Sequence, residues 1–355
     1  MKAILMLEDG KGFLAEASSP CPERIGEVIF NTAVVGYQEM ITDPANAGKI
    51  LVFTYPLIGN YGCAPKFNES GRAWVCAAVI KESSRIYSNW QAKYAFEDFI
   101  KKQNLPLLCG VDTRTLTLHL RQKGQMQGVI STTNFDQQRL LAGIKSFKKE
   151  KLLPEISVKT IVEAGKKKAR HKIAVLDLGI TNSLKKQLES LGASVILCPY
   201  DTPAEEVLRL KPQGLVISGG PEDDPALKIV EENLKKLIGR VPILGVSTGH
   251  LLLAASLGAR IVKMKLGHHG VNYPICSPTS YKGEITVQNH SYVVDNSSVA
   301  KIKNVKITAI NLNDRSVESI ESKKLKFIGI QYYPVSPGFN EVNPILMRFI
   351  RMIKK

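Results

Sequence analysis

The 355-residue sequence has no apolar run approaching the roughly 18 residues that a membrane-crossing helix needs. Its opening, Met1 to Gly10, meets the acids Glu8 and Asp9 too soon for the apolar core of a secretion signal, so the expected address is cytoplasmic, with no membrane partner. Paired cysteines are missing too. Cys21, Cys63, Cys76, Cys109, Cys198 and Cys276 form no Cys-x-x-Cys pair and have no matching histidine spacing, which excludes a recognisable zinc motif or disulfide framework. No metal site is expected, and the thiols read as packing residues.

Acidic charge is scarce: 32 Asp and Glu stand against 48 Lys and Arg, a net +16. Such an excess can signal nucleic acid. Much of it falls between Lys145 and Lys172, including Lys148, Lys149, Lys151, Lys159, Lys166, Lys167, Lys168 and Arg170, and no aromatic platform for stacking bases is interleaved. A solvated basic connection is the expectation, with no nucleic-acid partner.

A hydrophobic fraction of 44% is enough for a large core, and the length favours two domains. Residues 1–148 carry strand-like segments at Ala3–Leu7, Glu27–Asn31, Ile50–Thr54 and Trp74–Val79, broken by turn signals such as Asp9-Gly10 and Asp43-Pro44. Amphipathic helices are predicted over Trp90–Gln103 and Thr113–Lys123. The whole reads as a mixed α/β or β-rich domain, followed by the basic linker 149–170.

From 171 to 355 the alternation is regular. Strands at Ile173–Leu176, Ser194–Cys198, Gly214–Ser218 and Pro242–Val246 alternate with helices at Thr181–Leu191, Pro203–Leu210 and Ala226–Ile238. This implies a mostly parallel sheet covered on both faces, with ligands bound beyond the carboxyl ends of its strands. After Gly258 short strands and turns are expected, closed by an amphipathic core helix over Asn343–Ile353.

The fourth strand of that series runs through Gly245-Val246-Ser247-Thr248-Gly249 into an apolar helix pattern, the outline of a nucleophile elbow. Beside it, Ser218-Gly219-Gly220-Pro221 is a second carboxyl-end loop. Its amides, with that of Thr248, could form an oxyanion hole, although a tight turn explains the glycines equally well. What the elbow lacks is a base at any recognisable spacing.

The ordered runs Gly245 to His250, Lys263 to Gly270, Gln288-Asn289-His290 and Gln331 to Gly338 resemble the class I glutamine amidotransferase domain of carbamoyl phosphate synthetase small subunits. Leu7-Glu8-Asp9-Gly10, Gly26 to Thr32, Gly36-Tyr37-Gln38-Glu39, Thr54-Tyr55-Pro56 and Asp112-Thr113-Arg114 are similar to that family's own first domain. The resemblance implies a flavodoxin-like fold for the second half. It also implies a glutaminase that works through a thioester, and a large ATP- and magnesium-dependent subunit as partner in a heterodimer. That subunit would use the ammonia to make carbamoyl phosphate for arginine and pyrimidine synthesis; no cofactor is implied for this chain.

Carried over residue by residue, the family's nucleophilic cysteine falls on Ser247, its histidine base on Tyr333 and its orienting acid on Val335. The glutamine pocket falls on Gly220, Thr248, Leu251, Asn289, Ser291, Tyr292 and Ala45. There, the family's serine has become Ala45, its glutamine Leu251, and two glycines Glu222 and Ser291. Glu222 is expected to bring negative charge to the oxyanion site.

A serine hydroxyl needs a positioned base, whereas a cysteine with a pKa of about 8.5 is already partly thiolate. Tyrosine, with a pKa of about 10, is itself protonated at neutral pH. The expectation is therefore weak glutamine binding, a disabled glutaminase and a structural or regulatory role on the large subunit. Two alternatives stand beside it: a slow Ser247 amidohydrolase with Tyr333 or His290 as base, and a module binding another small ligand. His250 reads as a packing residue, and His268, His269 and His290 as family positions without a metal role.

Overall fold

Alternation of period two builds the first half of the computed structural model, which describes residues 1–164, 169–280, 282–338 and 341–354. Strands β1 (Lys2–Leu7), β2 (Gly12–Ala17), β3 (Arg24–Asn31), β4 (Ile50–Phe53), β5 (Ala77–Val79), β6 (Leu107–Cys109) and β7 (Met126–Ser131) close into a barrel in the order β1-β2-β6-β5-β4-β3-β7. Leu5, Leu7, Val28, Ile50, Val52, Val79 and Ile130 fill its interior. The intervening residues Ile29, Leu51 and Phe53 pack outward on Phe96, Phe99 and Ile100 of helix α1 (Phe96–Lys102). Burial on both faces explains the dense Val and Ile content of these strands. Helix α2 (Thr113–Lys123), capped by Asp112, contributes Leu116 and Leu120 to the barrel core. Helix α3 (Gln137–Ser146) covers Ile4, Met6 and Val129 with Leu140 and Ile144.

The helix predicted from Trp90 starts six residues late. Trp90 is 88% exposed, and residues 84–94 run through turns and bends before Ala95 caps α1.

Met1–Glu150 with Lys265–His269 form one compact unit, and Lys151–Met264 with Gly270–Lys355 a second. In the second, a ten-stranded sheet runs in the order β8-β10-β9-β11-β12-β17-β16-β15-β13-β14. Its strands are β8 (Val162–Ala164), β9 (His171–Asp177), β10 (Ala193–Pro199), β11 (Gly214–Ile217), β12 (Ile243–Val246), β13 (Ile261–Cys276), β14 (Gly283–Val294), β15 (Lys306–Asn311), β16 (Val317–Ser322) and β17 (Phe327–Ile330).

Strands β10, β9, β11, β12 and β17 are parallel, in the 2-1-3-4-5 order of the flavodoxin-like fold. Helices α4 (Asn182–Ser190), α5 (Ala204–Arg209), α6 (Leu227–Leu237) and α7 (Thr248–Ser256) connect or follow them, and α8 (Pro344–Ile353) ends the described chain. Leu176, Leu215, Ile217 and Ile243 pack one sheet face against Val230, Leu234 and Leu252. Val175, Val216, Leu244 and Ile328 pack the other against Leu184, Leu188, Leu346 and Phe349. The core role read for the last helix is borne out.

Two readings differ. Past Gly258 the strands are long, 16 residues in β13 and 12 in β14, because alternating polar residues support an antiparallel sheet as readily as turns. The stretch 149–170, read as a solvated connection, is partly built into the second unit. Leu153 is fully buried, β8 pairs with β10, and the Asp224 carboxylate accepts the amides of Leu152 and Leu153 at 2.6 and 2.9 Å. Asp177 likewise accepts from Val158. Lys166, Lys167 and Lys168 lie outside the described residues. All six cysteines are free thiols, and no helix among the described residues is long and apolar enough to cross a membrane.

Candidate active site

The wholly buried, apolar β12 delivers Ser247 to the carboxyl edge of the sheet, and α7 begins at the next residue. Ser247 has φ +50° and ψ −110°, a conformation a side-chain-bearing residue adopts at a cost of about 1–3 kcal/mol. This is the strained corner expected from the sequence. The glycines flanking it are sterically required. A β-carbon on Gly245 would stand 2.5 Å from Leu253 Cδ1, and one on Gly249 would stand 2.2 Å from the Ile217 carbonyl oxygen.

Ser247 is fully buried. Its amide donates to Ile330 O at 2.8 Å, while its Oγ has no hydrogen-bond partner among the described residues. The neighbouring loop is pinned to the elbow, since Thr248 Oγ1 donates to Gly220 O at 2.6 Å. Gly220 must be glycine, because a β-carbon there would lie 2.0 Å from Leu178 O. A β-carbon on Gly219 would lie 3.6 Å from Ser247 Cβ and 3.8 Å from Tyr333 Cε1, so glycine separates the serine from the tyrosine ring.

Tyr333 is held by its amide, which donates to Val287 O at 2.9 Å, and its hydroxyl accepts a long 3.4 Å bond from Asn289 Nδ2. Val335 is 38% exposed and offers no charge. Gly179, Thr181, Gly219, Tyr333 and Val335 help line a cleft of about 20 Å³. That is space for about one water and not for an amino-acid side chain.

The pocket positions divide. Leu251 is buried in the apolar cluster that includes Leu252 and Leu253. Asn289 and Ser291 are buried on β14, and Tyr292 is half-buried beside them. Ala45 belongs to the first unit, where its amide donates to Asp43 Oδ1 at 2.9 Å. The carboxylate of Glu222 accepts the Ser291 amide, at 2.6 Å to Oε2.

His250 is fully buried, and neither ring nitrogen meets hydrogen-bond geometry with a described residue. Burial pushes its pKa down to about 3, opposed only in part by the Gly329 backbone, so the ring is neutral. Both nitrogens of His290 are engaged, Nδ1 with Tyr292 O at 3.0 Å and Nε2 with Gln288 Oε1 at 2.5 Å. The sequence reading passed over Gln331, fully buried with neither amide atom paired among the described residues. Only its place two residues before Tyr333 could have drawn attention to it.

The matches to known proteins cover both halves. Residues 5–130 match the family described as carbamoyl-phosphate synthase small chain, CPSase domain, and residues 174–351 match glutamine amidotransferase class-I. Over 372 residues the chain is 36% identical to the carbamoyl phosphate synthase small chain of Syntrophotalea carbinolica, covering 100% of this chain and 98% of that one. It is 37% identical to the pyrimidine-specific small chain of Bacillus subtilis over 356 residues, covering 100% and 96%. Identity to the small chain of Listeria innocua is 36% over 355 residues, covering 99% and 97%. The chain belongs to the carbamoyl phosphate synthase small-chain family.

Proposed function

We propose that this chain is a small-chain homologue whose glutaminase is disabled, and that it acts as a structural or regulatory partner of a large, ATP- and magnesium-dependent synthetase subunit. The observation that carries this reading is the Ser247 hydroxyl, buried and without a hydrogen-bond acceptor among the described residues. Amide cleavage needs the nucleophile's proton removed as the carbonyl is attacked, and then a proton given to the departing ammonia. Tyr333, at the position of the base, carries a phenol that is protonated near neutral pH. Val335, at the position of the acid, can neither orient a base nor stabilise its cation.

Losses within one catalytic unit do not add. Removing the nucleophile or its histidine from a serine hydrolase costs on the order of 10⁶-fold by itself. The nitrogen for carbamoyl phosphate would then come from ammonia in solution, and the chain's contribution would be to hold its partner in a working conformation.

The test is co-purification with the large subunit, followed by assays of carbamoyl phosphate synthesis from glutamine and from ammonium salts. Synthesis from ammonium alone is expected. Ammonia released from glutamine by the wild-type chain, and lost in Ser247→Ala, would favour the slow serine amidohydrolase instead.

A further inference from the structure

The bond between Glu222 and Ser291 joins a loop and a strand 69 positions apart in the chain. At 2.6 Å it falls at the short end for an amide donating to a carboxylate, in the range of charge-assisted bonds. The donor belongs to Ser291, which is 1% exposed, so Glu222 brings a charge to an amide already withdrawn from bulk water. The loop carrying Glu222 is fixed on both sides. Ser218 Oγ accepts the Leu178 amide, Thr248 Oγ1 holds the Gly220 carbonyl, and the Asp224 carboxylate takes the amides of Leu152, Leu153 and Ala226. A carboxylate projected from so constrained a loop loses little entropy on seating.

Two residues earlier on the same strand, Asn289 donates to the Tyr333 hydroxyl at a long 3.4 Å. Two positions on β14 that face a ligand in the proposed reading are thus each engaged by a side chain of this protein. We propose that Glu222 is a built-in occupant of the cleft: its carboxylate takes the Ser291 amide that the α-carboxylate of a free amino acid would need. Glu222 then sets specificity by exclusion, repelling an incoming carboxylate as well as filling its seat. This rests on the assignment of the cleft as a former glutamine pocket.

The experiment titrates the full chain, as wild type, Glu222→Ala and Glu222→Gln, with L-glutamine and with its α-amide, which lacks the free carboxylate. Calorimetry is expected to give a glutamine affinity at least ~10-fold higher for Glu222→Ala than for wild type, a smaller gain for Glu222→Gln, and no gain for the α-amide. Equal gains for both ligands would mean that space alone was opened and would overturn the proposal, as would no gain in a variant with unchanged thermal melting.

Should Glu222→Ala not fold, the near-isosteric Glu222→Gln decides by the Ser291 amide proton resonance. An upfield move supports the charged bond, and an unchanged position refutes it. Ammonia release, followed in the same samples, keeps the two readings apart. Cleavage by Glu222→Ala would sink the disabled glutaminase and leave the occupant standing, whereas absent binding does the reverse.

Discussion

Gly329 lies directly beneath the imidazole of His250: a β-carbon at residue 329 would stand 2.7 Å from Nδ1 and 3.2 Å from Ile320 Cγ1. Strand β17 therefore meets helix α7 through a ring seated on bare backbone. Gly329→Ala should overpack this contact and cost about 1–3 kcal/mol, read as a lower urea midpoint with an unchanged slope. His250→Ala in the same chain should recover part of that loss, since the two positions share one volume.

The same histidine predicts an acid-sensitive fold. Its folded pKa is depressed to about 3, below the unfolded value of 6.5, so the unfolded chain binds the extra proton between those limits. Stability is therefore fully present above about pH 6.5 and falls as the pH drops toward 3. This one group contributes a slope of up to about 1.4 kcal/mol per pH unit. Urea titrations at pH 7, 5.5 and 4.5 should show a steeper loss for wild type than for His250→Leu. Parallel curves would remove His250 as the cause.

At the elbow, Ser247→Gly should raise stability by about 1 kcal/mol, because glycine adopts the positive φ without strain. Ser247→Cys should leave ammonia release at background, since a better nucleophile still faces Tyr333 and Val335. Measurable glutaminase from the single exchange would mean that a base exists which the proposed reading does not include.

Asp224→Ala should cost about 3 kcal/mol by stranding the amides of Leu152, Leu153 and Ala226. Its signature in hydrogen exchange is local. Residues 151–158 should lose protection well before the strands β9, β11 and β12 do.

The parallel half of the fold was legible because its physics is local. Stretches such as Leu215-Val216-Ile217 and Ile243-Leu244 are apolar on both faces, and glycine or proline marks their ends, so the strand limits were read to within one or two residues. The barrel was less so. Its three-residue strand β6 is too short for a pattern, and closure depends on β1 meeting β7, more than a hundred residues later. The Ser247 corner was visible in its glycines. What Glu222 does was not, since no spacing rule links a loop carboxylate to an amide on a distant strand.

With nothing but backbone between Gly249 and the Ile217 carbonyl, the first turn of α7 is bolted to its neighbouring strand independently of whichever side chain occupies position 247. The corner is in effect a socket. Reactive groups can be swapped in or out of it while the surrounding framework stays put, so a lineage could abandon its chemistry and still inherit the shape that its assembly requires.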